Sequence, residues 1–117
     1  MLFTIKLVTM RVARDHGRAI GSELAGAALS ADQPNADGLV EQLASRGYEP
    51  RCEGAGIELD NCPFRALAES HRDLVCGMNY ELISGILETA GVPDVAAVLE
   101  PAPGRCCVRL RTAEVVL

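Results

Sequence analysis

Five of the 117 residues are cysteines: Cys52, Cys62, Cys76, Cys106 and Cys107. A thiolate can ligate a metal, attack as a nucleophile or close a disulfide. In a reducing compartment, this many cysteines in so short a chain point to free core thiols or to a metal or cluster site. Cys62-x13-Cys76, followed far downstream by the Cys106-Cys107 pair, is a set that only a fold can gather. The chain has no C-x2-C knuckle, which argues against a zinc finger. An iron–sulfur cluster takes thiolates, usually four, and Cys62, Cys76, Cys106 and Cys107 reach that number. Neighbours on opposite faces of a strand rarely share one cluster, so Cys52 and His71 stand as substitutes for the fourth ligand. Each cysteine also has a plainer reading as a small buried hydrophobe, strongest for Cys52 on the inner face of a strand.

Other chemistry is thinly represented. There is no phosphate loop, no G-x-G-x-x-G, no H-E-x-x-H and no G-x-S-x-G. His16 and His71 have no carboxylate partner at helical spacing that points to a triad, so a hydrolase is unsupported.

The elements that must position the cysteines follow from pattern. Residues 1–10 read either as a strand, with Phe3, Ile5 and Leu7 alternating, or as the lead into a helix over 11–29. In that helix Ala13, Gly17, Gly21 and Ala25 recur every four residues along one face. Glycine inside a helix costs about 1 kcal/mol relative to Ala. The stripe therefore predicts a close approach, either to this protein's own elements or to a dimer partner. A loop at 30–37 precedes a helix at 37–46 that stops at Gly47. A hairpin follows, 48–53 and 57–60 around Gly54-Ala55-Gly56, with Tyr48, Pro50 and Cys52 on one face. Pro50 places the first strand at an edge or a bulge.

Pro63 suits the first turn of a short helix over 63–69, which puts Cys62 near its N-cap, where the macrodipole favours a thiolate. Ser70-His71-Arg72-Asp73 has the form of a capping box with Asp in place of Glu. It opens a long helix over 71–90, closed by Gly91. Leu74, Val75, Met78, Leu82, Ile83, Ile86 and Leu87 cover a wide arc of that helix, with Cys76 at its edge. Asp73, Gly77, Glu81, Ser84 and Glu88 cover the other side. A last hairpin runs 95–100 and 105–111 around Pro101-Ala102-Pro103-Gly104. It sets Cys106, Val108 and Leu110 on one face and Cys107, Arg109 and Arg111 on the other. If it packs beside the first hairpin, one of its cysteines comes near Cys62. The order predicts an α+β fold, an antiparallel sheet of about four strands in two hairpins, with helices packed on one face.

Length supports a single domain over 1–117. The net charge of −5 and the near absence of aromatics disfavour nucleic-acid binding by the chain alone. No apolar run is long enough for a membrane span, and the first residues lack the basic start and cleavage site of a signal peptide. The expectation is a cytoplasmic protein.

Arg46-Gly47-Tyr48-Glu49-Pro50, Asn61-Cys62-Pro63-Phe64-Arg65-Ala66-Leu67-Ala68, Leu74-Val75-Cys76, Leu82-Ile83-Ser84-Gly85-Ile86-Leu87 and Pro101-Ala102-Pro103-Gly104-Arg105-Cys106-Cys107 form a series. Over about residues 11–112 it resembles the C-terminal sensor domain of ArsR/DeoR-like winged-helix transcriptional regulators, related to the iron–sulfur-biogenesis repressor. The Asn-Cys-Pro-Phe turn with its downstream Val-Cys is the most specific part. The resemblance implies a cytoplasmic homodimer that reports a signal to a DNA-reading winged helix. Residues 1–10 are too few to hold that reader, so DNA would be reached only through a winged-helix domain not in this chain. Relatives with a cluster use cysteines like Cys62 and Cys76 plus others nearer the C-terminus. Here the spacing differs and the Cys106-Cys107 pair is added.

The leading expectation is a regulatory sensor and dimerisation domain, not an enzyme, reading redox, metal or iron–sulfur status through Cys62, Cys76, Cys106 and Cys107. The alternative is a domain that binds a small hydrophobic ligand between sheet and helices, without metal. A thiol enzyme built on Cys62 would need a base or a resolving thiol beside it.

Overall fold

The computed structural model describes residues 2–28, 35–54, 56–91, 95–100 and 106–112. The elements are α1 (Leu2–Ala28), α2 (Asn35–Ser45), β1 (Pro50–Glu53), β2 (Gly56–Leu59), α3 (Arg65–Ser70), α4 (Arg72–Thr89), β3 (Val95–Leu99) and β4 (Val108–Thr112). The opening residues resolve as helix, so α1 is one continuous helix from Leu2 and the strand reading of 1–10 is corrected. The expected turn at 101–104 and most of the expected loop at 30–37 lie outside the described residues.

The sheet has four strands in the order β1-β2-β4-β3, and every neighbouring pair is antiparallel. The fold is α+β, with α4 against the sheet. The two hairpins join through β2 and β4, where Ile57 sits opposite Leu110. Alternation then decides the faces. Leu59, Val108 and Leu110 are buried beneath the helices. The opposite face carries ions: Arg109 bonds Glu58 and Glu100, and Arg111 bonds Glu100. Pro50 lies on an edge strand, which spares the ladder its missing N–H. Cys52, expected inward, is exposed instead. It lies on the edge strand, one residue from its end.

The glycine stripe of α1 is filled from within. A Cβ at Gly17 would overlap the Leu82 carbonyl of α4, and one at Gly21 would overlap the Ile86 carbonyl and the Thr89 hydroxyl. Gly85 on α4 returns the fit: a Cβ there would overlap the Arg14 carbonyl and stand only 3.1 Å from the Gly17 Cα. The two backbones therefore meet, and this stripe is not available to a dimer partner. Ion pairs lock the edges of the contact: Arg14 reaches Glu81 at 2.8 Å and Glu88 at 2.6 Å, and Arg18 reaches Glu88 at 3.2 Å. The side of α4 expected to be polar is thus partly the seat of α1. The Thr89 hydroxyl donates to the Arg18 carbonyl at 2.6 Å.

Two terminus expectations are corrected. The residue capping α3 is Phe64, with no side-chain bond, so Cys62 lies near the cap, two residues before it, and Pro63 does not hold the first helical position. The Arg65 N–H closes a turn on the Cys62 carbonyl at 3.1 Å. Pro63 thus lies in that turn and not in the helix. The capping box does not form either. Ser70 is still the last residue of α3, and His71 caps α4 without a side-chain bond.

Candidate functional site

The long helix α4 packs on the second hairpin, against β3 and β4, and carries the site. Val75, Cys76, Asn79, Ile83 and Ile86 project from it into the core. Below them, β4 begins only at Val108, and Cys107 stands in a bend just before it. Cys106 donates its N–H to the Leu59 carbonyl at 2.9 Å, tying the approach to β2, and the Cys107 carbonyl accepts from the Glu100 N–H at 2.7 Å. In a regular strand these neighbours would face opposite sides. Because the strand has not yet started, both are buried in the same core cluster. This corrects the expected opposite-face arrangement.

Four cysteines meet this core as two pairs. Cys76 of α4 and Cys107 are joined by a disulfide, with their Cα atoms 6.0 Å apart. Cys106, fully buried, faces the half-buried thiol of Cys62. The expectation that the last hairpin brings a cysteine to Cys62 is met, and that cysteine is Cys106. Burial pushes the Cys106 thiol up to about 11; the Val108 N–H works against the rise and the Cys62 thiol adds to it. Cys106 is therefore a neutral thiol at physiological pH.

Beside the thiol pair runs a buried polar chain that pattern reading missed. Tyr48 and Asn79 are both fully buried. The Tyr48 hydroxyl donates to Asn79 Oδ1 at 2.7 Å, and Asn79 Nδ2 donates to Cys62 Sγ at 3.3 Å. Burial first, and then the Cys106 and Cys62 sulfurs, hold the Tyr48 phenol well above its ordinary value. Asn61 fastens the turn that carries Cys62 by donating from Nδ2 to the Gly47 carbonyl at 2.8 Å. The signal for Asn79 was available in the sequence. It lies four residues after Val75 and four before Ile83, on the apolar arc, where an amide needs a buried partner.

His71 and His16 are exposed, and neither they nor Cys52 belong to the core cluster. Among the described residues no three His, Cys, Asp or Glu side chains form a group that could hold a metal. With the Cys76–Cys107 bond closed, the sulfurs stand in pairs, not as a ligand set. The donor chemistry of the four thiols suits zinc or an iron–sulfur cluster only once that bond is open.

Two surface grooves flank α4. One of about 450 Å³ lies between α4 and β3, with Leu87, Val95 and Ala97 in its wall and Arg14 and Glu88 beside them. The other, of about 300 Å³, is bordered by α1 and the start of α4 and has Cys76 in its wall. No helix among the described residues is long and apolar enough to cross a membrane. No protein-family model, curated protein or solved structure matches the chain.

Proposed function

We propose that this chain is the regulatory domain of a transcriptional regulator, sensing redox, metal or iron–sulfur status through Cys62, Cys76, Cys106 and Cys107. The observation that carries this reading is the gathering of those four cysteines on one core as a disulfide and a facing thiol pair. The Cys76–Cys107 bond ties α4 to the bend that leads into β4, and α4 is also the seat of α1. Opening or closing the bond changes how firmly the helix pair is held to the sheet. A redox signal is thereby converted into a shift between two packings. In the reduced chain Cys62, Cys76, Cys106 and Cys107 supply the thiolates that would hold zinc or a cluster, and the bound group would take over the tie. In this reading the domain is cytoplasmic, acts as a homodimer rather than as an enzyme, and engages DNA only through a winged-helix domain not in these residues.

The test begins with anaerobic purification, a visible absorption spectrum, and iron, zinc and sulfide analysis, followed by oxidation and a thiol count. Oxidised, denatured protein should show three free thiols, Cys52, Cys62 and Cys106. In the native oxidised chain Cys52 should label first, Cys62 more slowly and Cys106 last. Cys76→Ser or Cys107→Ser should abolish the disulfide. All five thiols free after oxidation, together with a metal-free anaerobic protein, would sink the reading.

A second reading rests on the groove of about 450 Å³ between α4 and β3. Its partly apolar wall suits a small hydrophobic ligand, the case of a ligand-binding domain without metal. Saturable binding of such a ligand, unaffected by Cys76→Ser, would favour it.

A further inference from the structure

The groove of about 300 Å³ borders one partner of the disulfide. Cys76 lines it and Cys107 does not. A thiolate must approach a disulfide along the S–S axis, so a thiol lying in this groove attacks Cys76 and expels Cys107. The groove is also charged in a particular way. Exposed Lys6, Arg72 and Asp73 line it together with half-buried Met10 and Tyr80. Glu81, which lines it too, is held by Arg14 at 2.8 Å. Lys6, Arg72 and Asp73 make no ion pair among the described residues. Two cations and one carboxylate next to a reducible sulfur match a ligand carrying a carboxylate, an ammonium and a thiol.

We propose that this groove is the docking site of a small amino-acid thiol, which reduces the Cys76–Cys107 bond by attack on Cys76. Lys6 and Arg72 take the ligand's carboxylate and Asp73 its ammonium. The inference rests on the reading of Cys76–Cys107 as a redox pair. In the first step the ligand's thiolate forms a bond to Cys76 Sγ. The Cys76–Cys107 bond breaks, its electron pair leaves on Cys107 Sγ, and that sulfur takes up the proton given up by the ligand thiol. A second thiol molecule attacks the first ligand's sulfur in the mixed disulfide. Cys76 leaves as a thiol and the two ligand molecules are released joined by a disulfide. Two thiols are oxidised and one protein disulfide is reduced.

The test compares L-cysteine with 2-mercaptoethanol, which has neither charged group, as reductants of the oxidised full chain. Rates are measured for the wild type and for the double variant Lys6→Glu, Arg72→Glu, both changes at exposed positions. The ratio of the two rates cancels general accessibility and the field felt by any thiolate. A unit charge about 4 Å away in water is worth about fivefold in an equilibrium or rate. The cysteine-to-mercaptoethanol ratio should therefore fall by about fivefold or more in the variant. Peptide mapping of the acid-trapped intermediate should find the cysteine adduct on Cys76, with Cys107 free. An unchanged ratio, or an adduct on Cys107, overturns the groove assignment while leaving the redox pair standing. Absence of the Cys76–Cys107 bond from the oxidised chain overturns both.

Discussion

Removing the Tyr48 hydroxyl tests the buried chain that supports the Cys62 thiol. Tyr48 and Asn79 are fully buried, and the hydroxyl is the donor that Asn79 Oδ1 accepts at 2.7 Å. Tyr48→Phe keeps the ring and its packing but strands that oxygen in the core. The cost of a buried polar group left without its partner is about 1–3 kcal/mol. Asn79→Ala strands the hydroxyl in turn, removes the donor to Cys62 Sγ, and leaves a small cavity, so it should cost about 3 kcal/mol. In the double variant no stranded partner remains on either side. The two costs should then fall short of additivity by about 1 kcal/mol or more. Urea unfolding followed by circular dichroism, with the disulfide held in one redox state throughout, gives all four stabilities. With a urea slope of about 2 kcal/mol/M, Tyr48→Phe should move the midpoint down by about 1 M. Costs that add to within about 0.4 kcal/mol would mean that the hydroxyl and the amide do not depend on each other, and the polar chain would be refuted.

Two further outcomes follow from the helix pair. Gly85→Ala gains about 1 kcal/mol of helix propensity, but its Cβ enters backbone from α1, with the Arg18 N at 3.0 Å and the Gly17 Cα at 3.1 Å. Overpacking of about 1–3 kcal/mol should win, so thermal unfolding should show a destabilised variant, and a stabilised one would mean α1 and α4 do not meet so closely. The Glu88 carboxyl is held below its ordinary 4.5 by hydrogen bonds from Arg14 and then Arg18. A lowered folded value means stability present above the unfolded value and lost as pH falls through the folded one. The melting-temperature gap between wild type and Glu88→Gln should thus be steady from pH 7 to about 5 and close in acid. A gap independent of pH would leave the ion pairs without a role.

The architecture was largely legible because its signals are local. Alternation at Ile57 and Leu59, and again at Val108 and Leu110, marks the inner face of the sheet, and Gly47 and Gly91 mark helix stops with positive φ of 92° and 79°. The errors are where a local signal lost to something distant. Ser70 has the right residue type for a cap, but α3 extends through it to Ser70 before His71 breaks the helix. Asp73, Glu81 and Glu88 look alike as surface carboxylates on α4. Only the packing of α1 separates Glu81 and Glu88, which hold Arg14, from Asp73, which stays exposed. Gly17 and Gly21 announced a close approach without saying to what, because a small-residue stripe describes a gap and not its occupant.

The cysteines carry that argument furthest. Strand alternation assigned Cys106 and Cys107 to opposite faces, a rule that holds only inside a regular ladder. The ladder of β4 starts at Val108, and the bend ahead of it turns both side chains into one core. Neighbouring residues can then serve different partners: Cys107 closes on Cys76 from the helix above, while Cys106 meets Cys62 from the turn before α3. The sequence distances between partners are long, so no spacing motif could show the pairing. The same bend explains why the two pairs differ in chemistry. Cys107 is bonded to a residue that lines a surface groove, whereas Cys106 is fully buried against Cys62 and kept protonated by burial. The vicinal pair thus divides the core between a sulfur bond whose helix partner borders a surface groove and a thiol pair whose less buried member is Cys62.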